Sequence, residues 1–281
     1  MVSADGTEVA PLALGDHGVR RGALAVLELL AAGKPLPRPS GPRLALAAVR
    51  LEAPIPAPRR NVFCIGLNYR PHAAEYRANA ADPSLTQGSA SAPDVPEFPM
   101  VFSKAPETVI GPGAPIRIPS RLSTRIDYEA ELAVVIGRGG REIPADRALD
   151  HVWGYTIIND VTARDVQTRH RQWLLGNSID TFCPMGPWMV SADEVDGLAA
   201  PIRCWVNDEL RQEANTGELI FPVPQLIETI SAGLTLLPGD VIATGTPAGV
   251  GIGFSPPRFL KPGDRVRIEI GGIGTLENPV I

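Results

Sequence analysis

The chain has 281 residues, of which 28 are Gly and 29 are Pro, about a fifth of the total against an average nearer an eighth. Apolar residues still make up 44% of the sequence, which excludes a disordered chain and implies that the glycines and prolines separate the segments of a packed core. The chain carries 26 basic and 31 acidic residues, and its net charge of −5 argues against nucleic acid as a partner.

The cysteines and the apolar runs indicate the cellular compartment of the protein. Cys64, Cys183 and Cys204 are too widely spaced for a disulfide framework or a zinc knuckle, which fits a reducing cytoplasm. Acidic residues before Arg20 and Arg21, and one within the apolar run that follows, argue against a signal peptide. No run reaches the roughly 18 uninterrupted apolar residues that a membrane helix needs. We expect a cytoplasmic protein with no membrane partner.

The chain divides by pattern into two parts. Residues 1–55 are predicted to form a small N-terminal domain, with a helix at 22–32 and a Pro-rich linker after it. In residues 56–281, short apolar runs alternate with Gly and Pro, which predicts a strand-rich second domain.

Strands outnumber helices in this second part. The predicted strands are 61–65, 100–102, 131–136, 202–206, 241–243 and 265–270, and the predicted helices are 71–79, 163–173 and 223–232. This balance predicts a β-rich α+β fold rather than alternating βαβ units. Residues 76–99 have little apolar content, which predicts a mobile loop or lid.

Two acidic residues, Glu129 and Glu131, lie at the start of one predicted strand. The period of two places them on the same face. If that face points inward, their repulsion raises a pKa unless a cation holds both ionised. A solvated edge strand is the alternative, but the continuous apolar run at 132–136 is more typical of a buried strand.

A third carboxylate, Asp160, follows another apolar strand, at the junction with a predicted helix. Taken alone, it is more simply explained as a helix cap. Together with Glu129 and Glu131 it forms an all-oxygen site, suited to Mg²⁺ or Mn²⁺ and poor for Zn²⁺. Arg164 and Gln167 follow on one helical face, where they would bind a substrate carboxylate or merely neutralise the acids.

The third predicted feature is a His–Glu pair at the start of a helix. Pro71 at the helix start places His72 and Glu75 three residues apart, within reach of each other in the first turn. A glutamate partner orients an imidazole and raises its basicity, which suits a general base acting on water. A surface His–Glu pair without function is the alternative.

The fourth feature is a strand that runs into a Gly-rich turn at residues 237–251. Such turns expose backbone N–H groups to anions, and Thr246 is a candidate to hold a carboxylate, with a plain tight turn as the alternative. The lysine of a P-loop and a G-x-G-x-x-G sequence at a helix start are both absent, so nucleotide binding is not expected.

In their order and their residues, these motifs resemble those of the fumarylacetoacetate hydrolase superfamily over residues 61–281. The resemblance is to its branch of acylpyruvate hydrolases and 2-hydroxyhepta-2,4-diene-1,7-dioate isomerases in particular. The matching segments are Gly66-Leu-Asn-Tyr-x-x-His72-x-x-Glu75, Phe102-Ser-Lys104, Asp127-Tyr-Glu129-x-Glu131-Leu-Ala-Val-Val-Ile-Gly137, Asn159-Asp160-Val-Thr-Ala-Arg164-Asp165, Asp180-Thr-Phe-x-Pro-x-Gly-Pro187 and Ala243-Thr-Gly-Thr246-Pro-x-Gly-Val-Gly251.

The resemblance implies a fold, a cofactor and a substrate class. It implies a mixed β-roll catalytic domain at 56–281 behind the small N-terminal domain, assembled as a homodimer. Its substrates would be 2-keto or 2,4-diketo acids, and the loop after Glu75 would close as a lid. By the same resemblance, Mg²⁺ or Mn²⁺ would be held by Glu129, Glu131 and Asp160. A divalent ion beside the 2-oxo group would stabilise the enolate formed when a carbon–carbon bond breaks.

The remaining roles also follow from the resemblance. His72, oriented by Glu75, would activate water in an acylpyruvate-type hydrolysis, and the substrate would be held by Lys104, Arg164, Gln167 and Thr246. One position departs from the pattern, because many members carry lysine where this chain has Asn177. Asn177 remains a predicted substrate-binding residue, but it lacks the ammonium charge, so an anion would be held more weakly there unless Arg70 or Lys104 compensates.

Three functions stay open from the sequence. The first is metal-dependent hydrolysis of a carbon–carbon bond in an acylpyruvate or diketo acid. The second is oxaloacetate decarboxylation, or isomerisation of a 2-hydroxymuconate-type diacid, which needs the same metal but no attacking water. The third is a non-catalytic keto-acid-binding protein that lost its activity together with the lysine.

Overall fold

A mixed seven-stranded sheet forms the centre of the molecule. The structure is a computed structural model that describes residues 1–3, 6–14, 21–80, 95–170 and 172–281, with only the backbone at 79 and 80. In spatial order, the strands of the sheet are β4 (Met100–Lys104), β3 (Val62–Gly66), β13 (Val241–Ala243), β7 (Ala130–Ile136), β8 (Val152–Asn159), β10 (Cys183–Ser191) and β5 (Val109–Ile110). β3 pairs with β13, and β10 with β5, in parallel, while the other neighbours are antiparallel.

A second sheet is antiparallel throughout. Its strands, in spatial order, are β12 (Glu209–Asn215), β11 (Pro201–Val206), β14 (Arg265–Ile270) and β15 (Gly274–Pro279). Two short antiparallel pairs complete the described strands: β1 (Glu8–Val9) with β2 (Leu44–Ala45), and β6 (Ile126–Asp127) with β9 (Thr162–Ala163).

The described helices are short and lie around the sheets. They are α1 (Ala23–Ala31), α2 (Arg70–Ala80), α3 (Arg164–Arg169), α4 (Leu174–Asn177) and α5 (Val223–Ser231). Short 3₁₀ helices occur at Leu46–Ala48, Pro106–Thr108, Ala145–His151, Thr216–Glu218 and Gly251–Gly253. No helix among the described residues has both the length and the apolar character needed to cross a membrane.

The central strand β7 is covered on both faces, which explains its continuous apolar run. Leu132, Val134 and Ile136 belong to a core shared with the second sheet and with α5. Ala133 and Val135 point to the opposite face and belong to a core that includes the apolar side of α1. Every residue of β7 is buried, so the buried-strand prediction is confirmed and the solvated edge is excluded.

The strand-rich mixed fold predicted from the sequence is confirmed. The predicted helix at 163–173 differs in detail, because α3 ends at Arg169, where the backbone N–H of His170 donates to Thr168 and closes the last turn. The predicted lid includes residues 81–94, which lie outside the described residues. The N-terminal helix α1 packs on the sheet through Leu24 and Leu27, and a separate domain at 1–55 stays a prediction.

Candidate active site

Three carboxylates meet where β7 and β8 lie side by side. Glu129 directly precedes β7, Glu131 lies within it, and Asp160 directly follows β8. The backbone N–H of Asp160 donates to the carbonyl of Glu129 at 2.9 Å, and the N–H of Glu129 donates to Asn159 Oδ1 at 3.0 Å. All three side chains are buried, and one oxygen from each lies within 4.8 Å of the others. Asp160 is not a helix cap, since α3 begins only after Ala163.

The electrostatics of this cluster favour the binding of a cation. Burial, and then the charges of Asp160 and Glu129, raise the pKa of Glu131 well above its ordinary value. Burial also raises the pKa of Glu129, even though Arg164 opposes the shift. Oδ2 of Asp160 is buried and has no hydrogen-bond partner among the described residues. Three hard oxygen ligands with one unsatisfied acceptor fit a divalent ion such as Mg²⁺ or Mn²⁺.

Lys104, at the end of β4, is directed toward this cluster. Its fully buried ammonium donates to Asp160 Oδ1 at 2.5 Å and to the carbonyl of Val161 at 3.0 Å. Burial, the largest single effect, lowers the pKa of this lysine, but the charge and hydrogen bond of Asp160, together with the neighbouring Cys183 and Cys64, give a net upward shift. Its described polar contacts fix a carboxylate of the cluster, and a role of Lys104 in holding substrate stays a prediction.

Arg164, in the first turn of α3, is the second buried cation. Its Nε donates to Asp127 Oδ2 at 2.8 Å and one terminal nitrogen donates to Glu129 Oε1 at 2.6 Å. The other terminal nitrogen lies 3.4 Å from Gln167 Oε1. Burial opposes its charge, but the neighbouring carboxylates of Glu129 and Asp127 raise the pKa of the guanidinium further. Of the two roles weighed for Arg164, these contacts favour neutralising the acids.

Asp127, which no sequence pattern singled out, holds Arg164 in place in the structure. Besides that ion pair, its carboxylate accepts the backbone N–H groups of Gly251 and Ile252 at 2.6 and 3.0 Å. Asp127 lies two residues before Glu129, so the same period of two that selected Glu129 and Glu131 could have identified it.

His72 and Glu75 lie in the first turns of α2, as predicted. His72 Nδ1 is 3.4 Å from Glu75 Oε2, and the imidazole is only 4% exposed. Glu75 also accepts the backbone N–H of Gly249, which lies 3.0 and 3.2 Å from its two oxygens. The pair is therefore not a surface contact, because the Gly-rich turn holds the carboxylate that orients the histidine.

The Gly-rich turn after β13 contacts both the carboxylate cluster and Glu75, the partner of His72. The backbone N–H of Gly245 donates to Glu131 Oε2 at 2.9 Å. Gly245 has a φ of +104°, and a Cβ there would lie 2.7 Å from Cβ of Asn68, so a glycine is required on both counts. The hydroxyl of Thr246, next along the turn, accepts a hydrogen bond from Gln212 at 2.8 Å.

A small cavity of about 20 Å³ joins these parts. Five of the predicted site residues lie in its wall: His72, Glu129, Arg164, Gln167 and Thr246. The rest of the wall is formed by Ile65, Gly66, Leu67, Tyr76, Phe102 and Trp173. A larger cavity of about 1320 Å³ lies beside the N-terminal residues and β10, and none of the predicted site residues lines it.

Asn177 is positioned differently from the expectation. Its side chain is fully buried, its Oδ1 accepts the Thr162 hydroxyl at 2.7 Å, and its amide nitrogen donates to the carbonyl of Trp173 at 2.8 Å. It is not in the wall of the small cavity. Both polar atoms of Asn177 bind the protein, and its role in substrate binding stays a prediction.

Known proteins resemble this chain over most of its length. The family model for the fumarylacetoacetate (FAA) hydrolase C-terminal domain matches residues 61–281. The oxaloacetate tautomerase YisK of Bacillus subtilis is 50% identical over 238 residues, which cover 84% of this chain and 74% of the relative. The mitochondrial oxaloacetate tautomerase fahd2 of Xenopus laevis is 44% identical over 241 residues, covering 85% of this chain and 70% of the relative.

Solved structures agree with these sequence matches. The 2-hydroxyhepta-2,4-diene-1,7-dioate isomerase of Mycobacterium marinum superposes with a TM-score of 0.72 at 41% identity, covering 87% of this chain and 82% of that one. The fumarylacetoacetate hydrolase of Exiguobacterium antarcticum superposes with a TM-score of 0.77 at 42% identity, covering 91% of this chain and 87% of that one.

Proposed function

Since the chain belongs to the fumarylacetoacetate hydrolase family, we propose that it is a divalent-metal-dependent tautomerase or isomerase of 2-keto acids, with oxaloacetate as the first candidate substrate. One observation carries the proposal: His72 lies in the wall of the same small cavity as Glu129 and Arg164. A proton carrier, a metal ligand and a fixed cation therefore face one space. The two relatives named as oxaloacetate tautomerases support this reading over hydrolysis, which the sequence analysis placed first.

Glu129, Glu131 and Asp160 are the residues that would hold Mg²⁺ or Mn²⁺. The unpartnered Oδ2 of Asp160 and the raised pKa values of both glutamates are the features that a cation would relieve. When bound, a divalent ion would supply positive charge beside the oxygens of a keto acid, which eases loss of a proton from the neighbouring carbon.

The proposed reaction requires the protein only to transfer a proton. The keto and enol forms of oxaloacetate differ in whether one hydrogen is on C3 or on the 2-oxygen, so no carbon–carbon bond breaks and no water is consumed. His72 would carry the proton at C3, because an imidazole exchanges protons near neutral pH. Glu75, held by the N–H of Gly249, would keep the imidazole ring in place.

The substrate carboxylates would be held by polar groups in the cavity wall. Gln167 and Thr246 supply these groups, and Arg164 adds positive charge to the wall while it stays paired with Asp127 and Glu129. Enclosure strengthens these contacts, because little water competes for them.

Hydrolysis of an acylpyruvate is the second candidate. Hydrolysis would need a water molecule beside the substrate, and His72 in the cavity wall would activate it. The structural neighbour named as a fumarylacetoacetate hydrolase supports this candidate.

The homodimer and the cytoplasmic location stay predictions. Exposed apolar side chains at Phe98 and Val101, beside and on the edge strand β4, are compatible with a protein partner there.

Product analysis separates the candidates. Oxaloacetate is supplied as the enol with Mg²⁺ or Mn²⁺, and the decay of the enol absorbance is followed beside the release of carbon dioxide. Acylpyruvates are tested in parallel for release of pyruvate. We expect accelerated loss of the enol with no carbon dioxide. Pyruvate release from acylpyruvates, without acceleration of tautomerisation, would select hydrolysis instead.

His72→Asn tests the proton carrier. We expect the tautomerisation rate to fall by about 10²-fold or more, because removing a general acid–base typically has an effect of this size. His151→Asn is the matched control, since His151 is bound to the carbonyl of Arg138 and is not in the cavity wall. An equal rate for His72→Asn and the control would exclude His72 from the reaction.

A further inference from the structure

Gln212, on β12, has a buried side-chain amide that links β7 to the Gly-rich turn. It is 1% exposed. Its Oε1 accepts the backbone N–H of Ala130 at 3.0 Å, and its Nε2 donates to the hydroxyl of Thr246 and the carbonyl of Pro247, both at 2.8 Å. The motifs of the sequence gave no reason to select this residue.

The orientation of this amide is fixed by its neighbours. The N–H of Ala130 can only donate, so it must face the oxygen of Gln212. The carbonyl of Pro247 can only accept, so it must face the nitrogen. A flipped amide would place two donors together and two acceptors together, and both contacts would be lost.

The fixed amide decides the direction of the hydrogen bond at Thr246. The nitrogen of Gln212 has no lone pair to offer, so the Thr246 hydroxyl must act as the acceptor in their contact. Its own hydrogen is then left to donate elsewhere. Among the residues that the structure describes, no acceptor for that hydrogen is found, and Thr246 lines the cavity.

We infer that Gln212 is a positioning residue that makes Thr246 an obligate hydrogen-bond donor to a carboxylate oxygen of the substrate. The inference rests on the proposed function in one respect, the keto-acid class of the ligand. A donor at this point favours an anionic oxygen over a hydroxyl or amide hydrogen.

The second contact of Gln212 sets where that donor stands. Ala130 lies between Glu129 and Glu131, so one amide ties the strand of the metal ligands to the turn of Thr246. The N–H of Gly245 makes a parallel link to Glu131. The distance between the Thr246 hydroxyl and the carboxylate cluster is therefore fixed before any ligand enters.

Oxalate binding to the Mn²⁺-loaded protein, measured by calorimetry, tests the inference without requiring turnover. Gln212→Met keeps the length of the side chain and removes both polar groups, and Gln212→Glu keeps the acceptor for Ala130 but removes the donor to Thr246. Asn278→Leu is the matched control, because its buried amide also donates to two carbonyls, of Gly111 and Ala114, and none of these three residues lies in the cavity wall.

We expect both Gln212 variants to bind oxalate about tenfold more weakly or worse, while Asn278→Leu binds it within about threefold of the unmodified protein. Thr246→Val should weaken binding by a similar factor. When Thr246→Val is added to the Gln212→Met variant, oxalate binding should weaken by no more than about a further twofold, because the two residues act through one hydrogen bond. With active enzyme, the KM for oxaloacetate should rise by the same factor and kcat should change less than about threefold.

Independent, additive losses, or an equal loss in Asn278→Leu, would overturn the inference. If the Gln212 variants do not fold, Thr246→Ser and Thr246→Val decide it: serine should retain binding and valine should lose it, and equal binding by both would refute the donor role. Oxalate binding without any turnover would refute the proposed function and leave this inference standing. No oxalate binding by the unmodified protein would overturn the inference alone.

Discussion

At the scale of single residues, the buried charges of the site are arranged in partnered groups. Lys104 donates to Asp160, and Arg164 donates to Asp127 and Glu129. Glu131 is supported by one backbone N–H, from Gly245. A buried ion pair is retained at a considerable cost of desolvation, so these pairs are better explained by the positions they fix than by stability.

Lys104→Met tests the pairing with Asp160. Loss of the ammonium leaves a fully buried carboxylate without its cation, and we expect the free energy of unfolding to fall by about 3–5 kcal/mol. Denaturant unfolding of the metal-free protein measures it. The double variant Lys104→Met/Asp160→Asn is the control, because it removes both charges. It should recover at least half of the loss, and a double variant no more stable than the single one would contradict the pairing.

At the scale of elements, the Gly-rich turn positions the first turns of α2. The N–H of Gly249 holds Glu75, and a Cβ at Gly253 would lie 1.9 Å from Oε1 of the same side chain. Gly249 itself has a φ of +100°, and a Cβ there would lie 1.9 Å from the carbonyl oxygen of Arg211 on β12. The histidine is thus oriented by a turn that is itself packed against the second sheet.

Gly249→Ala tests this packing, with Gly263→Ala as its matched control. Gly263 has a similar φ of +94° but open space around it. The control should therefore lose only the strain of a left-handed alanine, about 1–2 kcal/mol of unfolding free energy. Gly249→Ala should lose about 1–3 kcal/mol more through overpacking.

The Gly249→Ala variant should also lose activity, because the turn moves away from Glu75. Urea unfolding and the tautomerase assay measure the two effects. Equal stability and equal activity of the two alanine variants would show that the turn does not hold α2.

At the scale of the whole molecule, the carboxylate cluster couples stability to metal and pH. The two sheets and α1 close around β7 and β8, so the cluster is buried when the protein folds. The pKa of Glu131 is raised above its ordinary value of 4.5. Its contribution to stability is therefore fully present below pH 4.5 and is lost as the pH rises through the raised pKa of the folded state.

Metal should reverse this trend, because it binds the ionised carboxylates. We expect Mn²⁺ to raise the melting temperature more at pH 8 than at pH 6. With free Mn²⁺ at about 100 times its dissociation constant, the free energy of unfolding should rise by about 2.7 kcal/mol. Differential scanning fluorimetry measures it. Glu131→Gln should abolish most of the gain and make the metal-free protein less sensitive to pH, and an unchanged gain in this variant would exclude Glu131 as a ligand.

The parts of the site that the sequence predicted correctly are those governed by local periodicity. Glu129 and Glu131 share a face because a strand repeats every two residues, and His72 meets Glu75 because a helix brings residues three apart together. The buried state of β7 followed from its continuous apolar run. These patterns did not distinguish hydrolysis from tautomerisation, because both reactions can use the same charged groups.

The sequence by itself determined the strand-rich fold, the shared face of Glu129 and Glu131 and the His–Glu pair, because backbone geometry imposes the short spacings that these features require. Asp160 joins the two glutamates only because β8 pairs with β7. Only the tertiary structure decided which partners the remaining polar side chains take. Lys104 contacts a carboxylate 56 residues away, and Gln212 contacts an N–H 82 residues away. Asn177 binds its own helix and β9 instead of the cavity. Such contacts depend on how distant strands pair and pack, and the identity of a residue does not specify that.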